Sequence, residues 1–263
     1  MDEIIYNSIG SDYNTNRVAD PRILNIIDTL LDLPSGSVIA DIGAGTGNYS
    51  NALAGLGYKV FAVEPSETMR HQTKANDRVT CISGTAESIP LPEQSVNGII
   101  VILAIHHFSS IERASLEMQR ICPTGPIIIF TFDPRVGQEP WFKDYFFEIY
   151  QRDFMTFPPL EKVIEAIAFE GSWSKEILSF PLPKDLSDRN MYSAWSEPEK
   201  YFDARFRQNT SGFALASPVV VQSGLSRLQN DLQSGAWDKK YGYLRNQKEF
   251  DAGFTFIKLQ LRH

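Results

Sequence analysis

Ile23, Ile26, Ile27, Leu30 and Leu31 recur at spacings of three and four, so they form one apolar face of a helix that Asp20 and Pro21 start. Beyond it the pattern changes to short apolar runs separated by turn residues. Ser37–Ile42, Tyr58–Glu64, Val79–Ser83, Gly98–Leu103 and Pro126–Asp133 read as five strands. Gly98–Leu103 is aliphatic throughout, as in a parallel strand covered on both faces. Between the strands, helices are predicted from Asn48 to near Gly57, over Glu67–Ala75, and from a capping box at Ser109 and Glu112 through Arg120. Strands and helices alternating at this pitch specify an α/β fold with a doubly wound, mostly parallel sheet. After Asp133 the rhythm stops. Ser174–Leu182 can supply a sixth strand, and Gly253–Leu261, alternating around Phe254, Phe256, Leu259 and Leu261, a seventh.

The chemistry concentrates where the first strand ends. Val38–Ile42 breaks into Gly43-Ala44-Gly45-Thr46-Gly47, and Glu64 ends the second strand, twenty-three residues after Asp41. A glycine turn exposes bare backbone to a ligand, and a carboxylate one βα unit later can hold a ribose diol. A dinucleotide fingerprint needs a third glycine at the position held here by Asn48. Asp41, two residues before the first glycine, would repel a pyrophosphate and suits a ligand with an ammonium group.

This Asp-x-Gly-x-Gly-x-Gly run resembles the first motif of the class I S-adenosylmethionine-dependent methyltransferases, in particular those of the type 11 and ubiquinone/menaquinone-biosynthesis kind. The resemblance extends over Tyr6 to Asp133, about half of the chain. It includes Glu64-Pro65-Ser66-x-x-Met69 and the loop Gly84-Thr85-Ala86-Glu87-Ser88-Ile89-Pro90-Leu91-Pro92. Tyr6, Tyr13 and Arg17 are spaced like the family's entry helix. Two positions depart from the pattern: Thr85 and Asn97 each stand where an acid is usual.

The resemblance implies a seven-stranded Rossmann-like sheet whose last strand inserts antiparallel between the fifth and sixth. It implies S-adenosylmethionine as cofactor. Asp41, Gly43, Ala44 and Gly45 would hold its methionyl end, Glu64 its ribose, and Met69, Thr85, Ala86 and Glu87 its adenine. Arg17 would pair with the methionyl carboxylate, Tyr13 would touch the cofactor where it borders the methyl-transfer site, and Leu103 would border the cofactor. Residues 1–33 become an N-terminal helical cap. Residues 34–133 form the cofactor-binding core, completed by strands within 174–182 and 252–262. Residues 134–173 and 183–251 form a helical, aromatic substrate lid inserted after the fifth and sixth strands.

Those insertions are rich in rings, so the expected acceptor is a small hydrophobic or aromatic metabolite, methylated on oxygen, nitrogen or carbon. His106 at the end of the fourth strand is the candidate base, and Arg135, Trp141, Tyr145 and Trp195 are expected beside the acceptor. A base is not obligatory, because a sulfonium is already an excellent leaving group and transfer can rest on positioning and water exclusion. A non-catalytic S-adenosylmethionine-binding protein is the alternative. An NAD(P)-dependent oxidoreductase fits less well, since no Tyr-x-x-x-Lys pair occurs.

Composition narrows this further. The 263 residues are 43% hydrophobic and carry a net charge of −7, with no basic stripe for a nucleic acid. The mildly basic residues 201–263 could face an anionic substrate. Two cysteines, Cys81 and Cys122, make neither a disulfide framework nor a zinc site, and are too few for the thiolate chemistry of arsenite methyltransferases. No metal is expected. The acidic start lacks a signal-peptide pattern and no apolar run approaches a membrane span, so a cytoplasmic location is expected. The expected assembly, a monomer or homodimer, is not read from these features.

Overall fold

Ile99 and Ile100 are neighbours in the chain, both fully buried, and packed into different cores. That is the period-two alternation of a strand covered on both faces. The computed structural model describes residues 18–168, 172–208 and 210–261. Its main sheet has seven strands: β1 (Val38–Ile42), β2 (Lys59–Val63), β3 (Val79–Ile82), β4 (Gly98–Ile102), β5 (Ile127–Phe132), β6 (Trp173–Ser179) and β7 (Phe254–Leu261). They lie in the order β3-β2-β1-β4-β5-β7-β6. The first five are parallel, and β7 runs antiparallel to both β5 and β6. The expected mostly parallel, doubly wound sheet is the one observed.

One face of the sheet packs on α1 (Pro21–Leu31) and α2 (Asn48–Gly55) through Ile23, Ile27, Leu31 and Leu53. The other packs on α4 (Ile111–Ile121) and α6 (Leu160–Ile167) through Ala114, Met118, Val163 and Ile167. Between α2 and α4 lies the short α3 (Glu67–Arg70), capped by the Ser66 hydroxyl, which accepts the Met69 amide at 3.3 Å. The helix predicted to Ala75 ends early. Its last bonds tighten to three-residue spacing at Gln72 and Thr73, and the Arg70 guanidinium turns back onto the carbonyls of Glu64 and Pro65 at 2.7 and 2.6 Å.

A second correction concerns α4. Ser110, not Ser109, is its N-cap and accepts the Arg113 amide at 3.2 Å. Asn97, one of the two departures from the family pattern, has a sheet role. Its side-chain oxygen accepts the Val38 amide at 2.8 Å while its own amide donates to the Val38 carbonyl at 2.7 Å.

The chain after β5 is mostly helical, with α5 (Phe147–Thr156) and α6, then α7 (Ala204–Gln208), α8 (Ser211–Ala214), α9 (Pro218–Ser234) and α10 (Ala236–Tyr241) after β6. Apart from α6, these helices share one core with the sheet, in which Phe132 and Phe254 meet Tyr192, and Tyr192 meets Phe142. Trp141 and Trp195 lie deep in it: the Trp141 indole N–H donates to the Trp195 carbonyl at 2.8 Å, and Trp195 stacks on Phe250. Tyr145 is also buried, its hydroxyl donating to Asp231 at 2.7 Å. No helix among the described residues is long and apolar enough to cross a membrane.

Candidate functional site

A cavity of about 450 Å³ opens over the carboxyl ends of β1 to β4, the position where ligands bind in open α/β sheets. Its floor is the glycine turn. The amides of Gly43 and Ala44 both donate to the Val63 carbonyl, at 2.8 and 3.1 Å, which folds the turn back toward β2. Gly43 has a φ of +76°, and a Cβ there would meet that of Ala104 at 2.5 Å. At Gly45, with a φ of +57°, a Cβ would meet nothing within 4 Å, because that position faces the cavity. The first glycine is therefore required by packing, whereas the second leaves its open side to the cavity.

Glu64 ends β2 with its carboxylate already seated. One oxygen accepts the Gly45 amide and the other the Ser66 amide, both at 2.9 Å. Each oxygen keeps a second acceptor position for a ligand. Burial pushes its pKa upward, against the opposing effect of those two amides. Asp41 is buried at 2% exposure and accepts the Ser50 hydroxyl at 2.5 Å. Burial, with the charge of Glu64 adding to it, pushes the Asp41 carboxyl up to about 7 despite the Ser50 hydroxyl. Burial disfavours the charged form of both acids, and a cation beside them would favour it.

Around these the cavity gathers Met69, Thr85, Ala86 and Glu87 at one end and Leu103, His106 and Phe108 at the other. Glu87 turns its carboxylate to the amides of Ser109 and Ser110, at 2.6 and 3.2 Å, and so ties the loop after β3 to the loop after β4. Burial opposes ionisation there, but the serine amides outweigh it and hold the carboxyl below its ordinary value. Leu103 adopts a left-handed φ of 50° as β4 ends, its amide donating to the Phe130 carbonyl at 2.7 Å. A non-glycine residue in that region stores strain, and it turns the chain into the short 3₁₀ segment Ile105–His107. The His106 ring lies 4.1 Å from Phe157 and 3.9 Å from His107, centroid to centroid. Its Nδ1 is buried with no hydrogen-bond partner among the described residues. Burial, with His107 adding, holds its pKa well below the ordinary value, so the imidazole is neutral at pH 7.

The structure thus brings Asp41, Gly43, Ala44, Gly45, Glu64, Met69, Thr85, Ala86, Glu87, Leu103 and His106 to one cavity. Tyr13 and Arg17 lie outside the described residues. Arg135, Trp141, Tyr145 and Trp195 do not line it. The tryptophans and Tyr145 are spent on the interior of the helical region, where rings bury most surface. Arg135 pairs with Asp133 at 2.8 Å and donates to the carbonyls of Phe154 and Phe157, at 2.5 and 3.1 Å. Among the lining residues outside the expected set are Tyr49 and Asp188. Tyr49 carries no sign beyond its place after the glycine turn, and Asp188 lies in a distant segment with no motif.

A methyltransferase-domain family model matches residues 40–130. A solved structure from Anabaena variabilis, described as a "putative methyltransferase from antibiotic biosynthesis pathway", is 46% identical. It superposes with a TM-score of 0.90 over 94% of this chain and 100% of that one. The chain belongs to the class I S-adenosylmethionine-dependent methyltransferases. An uncharacterized methyltransferase of Geobacillus is 33% identical to this methyltransferase over 100 residues, 36% of this chain and 47% of its own. The chain spans about half the length of the first curated relatives it matches. Haemonchus contortus phosphoethanolamine N-methyltransferase 2, solved with S-adenosyl-L-methionine, shares the fold at 16% identity. Its TM-score is 0.61, over 99% of this chain and 57% of that one.

The methyltransferase's own residues fit the family's cofactor. The ligand-facing side of Gly45 is open, Glu64 offers paired acceptors to a diol, and buried carboxylates answer a cationic ligand.

Proposed function

We propose that this methyltransferase moves a methyl group from S-adenosylmethionine to a small, hydrophobic or aromatic acceptor. The observation that carries the reading is Glu64 bridging the Gly45 and Ser66 amides at the floor of a cavity whose far wall is His106. Sheet order supports one orientation of the ligand. Thr85 follows β3, Glu64 and Met69 follow β2, the glycine turn follows β1, and His106 follows β4. In this reading the adenine would lie over β3 and β2, the ribose on Glu64, and the methionyl end over β1.

Bound S-adenosylmethionine supplies an electrophilic methyl group whose carbon–sulfur bond breaks, with its electron pair leaving on sulfur, as the acceptor atom bonds to carbon. His106, neutral at pH 7, is the group we assign to take the proton that an oxygen or nitrogen acceptor would release. Ile102, Leu103 and Phe108 supply an apolar wall beside it, which favours an apolar acceptor and excludes water from the transfer. The helices after β5 and β6 form the lid over this side, and residues 34–133 with β6 and β7 form the cofactor-binding core. Acceptor recognition falls to the lid, with Phe157 as its nearest ring.

Incubation of the protein with methyl-labelled S-adenosylmethionine and a metabolite extract tests the reading. Label should appear in a small organic product, with stoichiometric S-adenosylhomocysteine. Tight cofactor binding with no labelled product would instead mark a binding protein.

A further inference from the structure

Asp188 lines the cofactor cavity at 2% exposure, although it comes from the chain beyond β6 and belongs to no motif of the nucleotide-binding half. It is held in place. The Tyr49 hydroxyl donates to its carboxylate at 3.1 Å, and the same hydroxyl accepts the Asp20 amide at 3.4 Å. Asp20 is in turn fully buried, and accepts the amide and hydroxyl of Ser187 at 2.9 and 3.0 Å and the Arg22 guanidinium at 2.8 Å. The segment carrying Asp188 is thereby tied to the start of α1 and to the first turn of α2.

Tyr49 fixes which end of the cavity this is. It sits one turn beyond Gly45 on α2, beside Ser50, whose hydroxyl donates to Asp41. In the orientation proposed above, on which this inference rests, that end receives the amino-acid tail and not the adenine. A buried carboxylate there repels an anion and attracts an ammonium at hydrogen-bond range. We infer that Asp188, oriented by Tyr49, binds the α-ammonium of the cofactor's methionyl tail. Cofactor binding then joins the segment beyond β6 to the glycine turn, and the tail is read from both halves of the chain.

Calorimetry on the full chain tests this with two ligands alike in nucleoside and thioether. S-Adenosylhomocysteine carries the amino-acid tail, and 5′-methylthioadenosine lacks it. Asp188→Asn should weaken S-adenosylhomocysteine binding about tenfold or more, the scale of a lost charge-assisted pair, and leave 5′-methylthioadenosine within twofold. Tyr49→Phe should shift the same ligand in the same direction by less, and a single cooperative unfolding transition for it shows the fold intact. Equal losses for both ligands would make Asp188 merely structural and overturn the inference. Unchanged S-adenosylhomocysteine affinity would overturn it too. Wild-type protein that binds neither ligand would overturn the cofactor reading itself, a failure distinct from these.

Discussion

Phe157 lays its ring on His106, with centroids 4.1 Å apart and planes inclined by 36°. The contact is secured from β5: Asp133 holds Arg135, and Arg135 holds the carbonyls of Phe154 and Phe157 at the end of α5. Asp133 also accepts the Leu160 amide at 3.0 Å, so one buried carboxylate organises the whole turn from α5 to α6. Phe157→Ala should admit water to the imidazole and raise the pH at which His106 titrates, toward the ordinary 6.5. Arg135→Ala should act in the same direction through the loosened turn. The His106 ring-proton shifts followed by NMR across pH 4–8 report this, and an unmoved titration in Phe157→Ala would contradict it.

His106→Ala should lower turnover on an oxygen or nitrogen acceptor by roughly tenfold or more while leaving cofactor affinity within twofold. Steady-state kinetics beside calorimetry separate the two quantities. Undiminished turnover would make His106 a wall of the pocket only.

The two glycines of the turn should fail differently. Gly43→Ala drives a methyl into Ala104 at a left-handed φ, and should destabilise the fold by about 2 kcal/mol or more. Gly45→Ala meets no protein atom, so its folding cost is only the backbone strain of about 1 kcal/mol. Its added methyl points into the cavity and should cost cofactor affinity instead. Denaturant unfolding and calorimetry on both variants check the contrast.

Asp41 gives the protein a pH signature. Its carboxyl holds a proton up to about 7 when folded, against 3.8 ordinarily. Between those values the folded state binds the extra proton, so this group's contribution lowers stability as pH rises from about 4 to 7. A cationic ligand favours the ionised form, so binding should expel the proton and tighten as pH rises through 7. Calorimetry at pH 6.5 in buffers of different ionisation enthalpy should show proton release on S-adenosylmethionine binding, and Asp41→Asn should abolish it. Equal proton release in the variant would place the titration elsewhere.

Strands and glycine turn were legible in the sequence because their causes are local. Gly98–Ile102 needs only its own aliphatic run to mark a buried strand, and Gly43 to Gly47 needs only its spacing to mark a ligand turn. Glu64 was legible because one βα unit carries it to a fixed place. The helical region was legible in composition and not in placement. Trp141, Tyr145 and Trp195 are rings that suit a pocket or a core equally well, and packing sent them to the core. Arg135 sits beside the right strand, yet Asp133 turns it onto the Phe154–Phe157 turn. Asp188 escaped notice because only the folded chain brings it to Tyr49, 139 residues away.

Calorimetry with Glu64→Ala is the most direct test that a glycine turn and a carboxylate grip a methionine-bearing nucleoside without phosphate. Wild-type protein should bind S-adenosylmethionine and S-adenosylhomocysteine and not NADH, and the variant should lose about 2 kcal/mol or more of that affinity. NADH uptake without S-adenosylmethionine binding, or a Glu64→Ala protein that binds the cofactor as tightly as wild type, would contradict it.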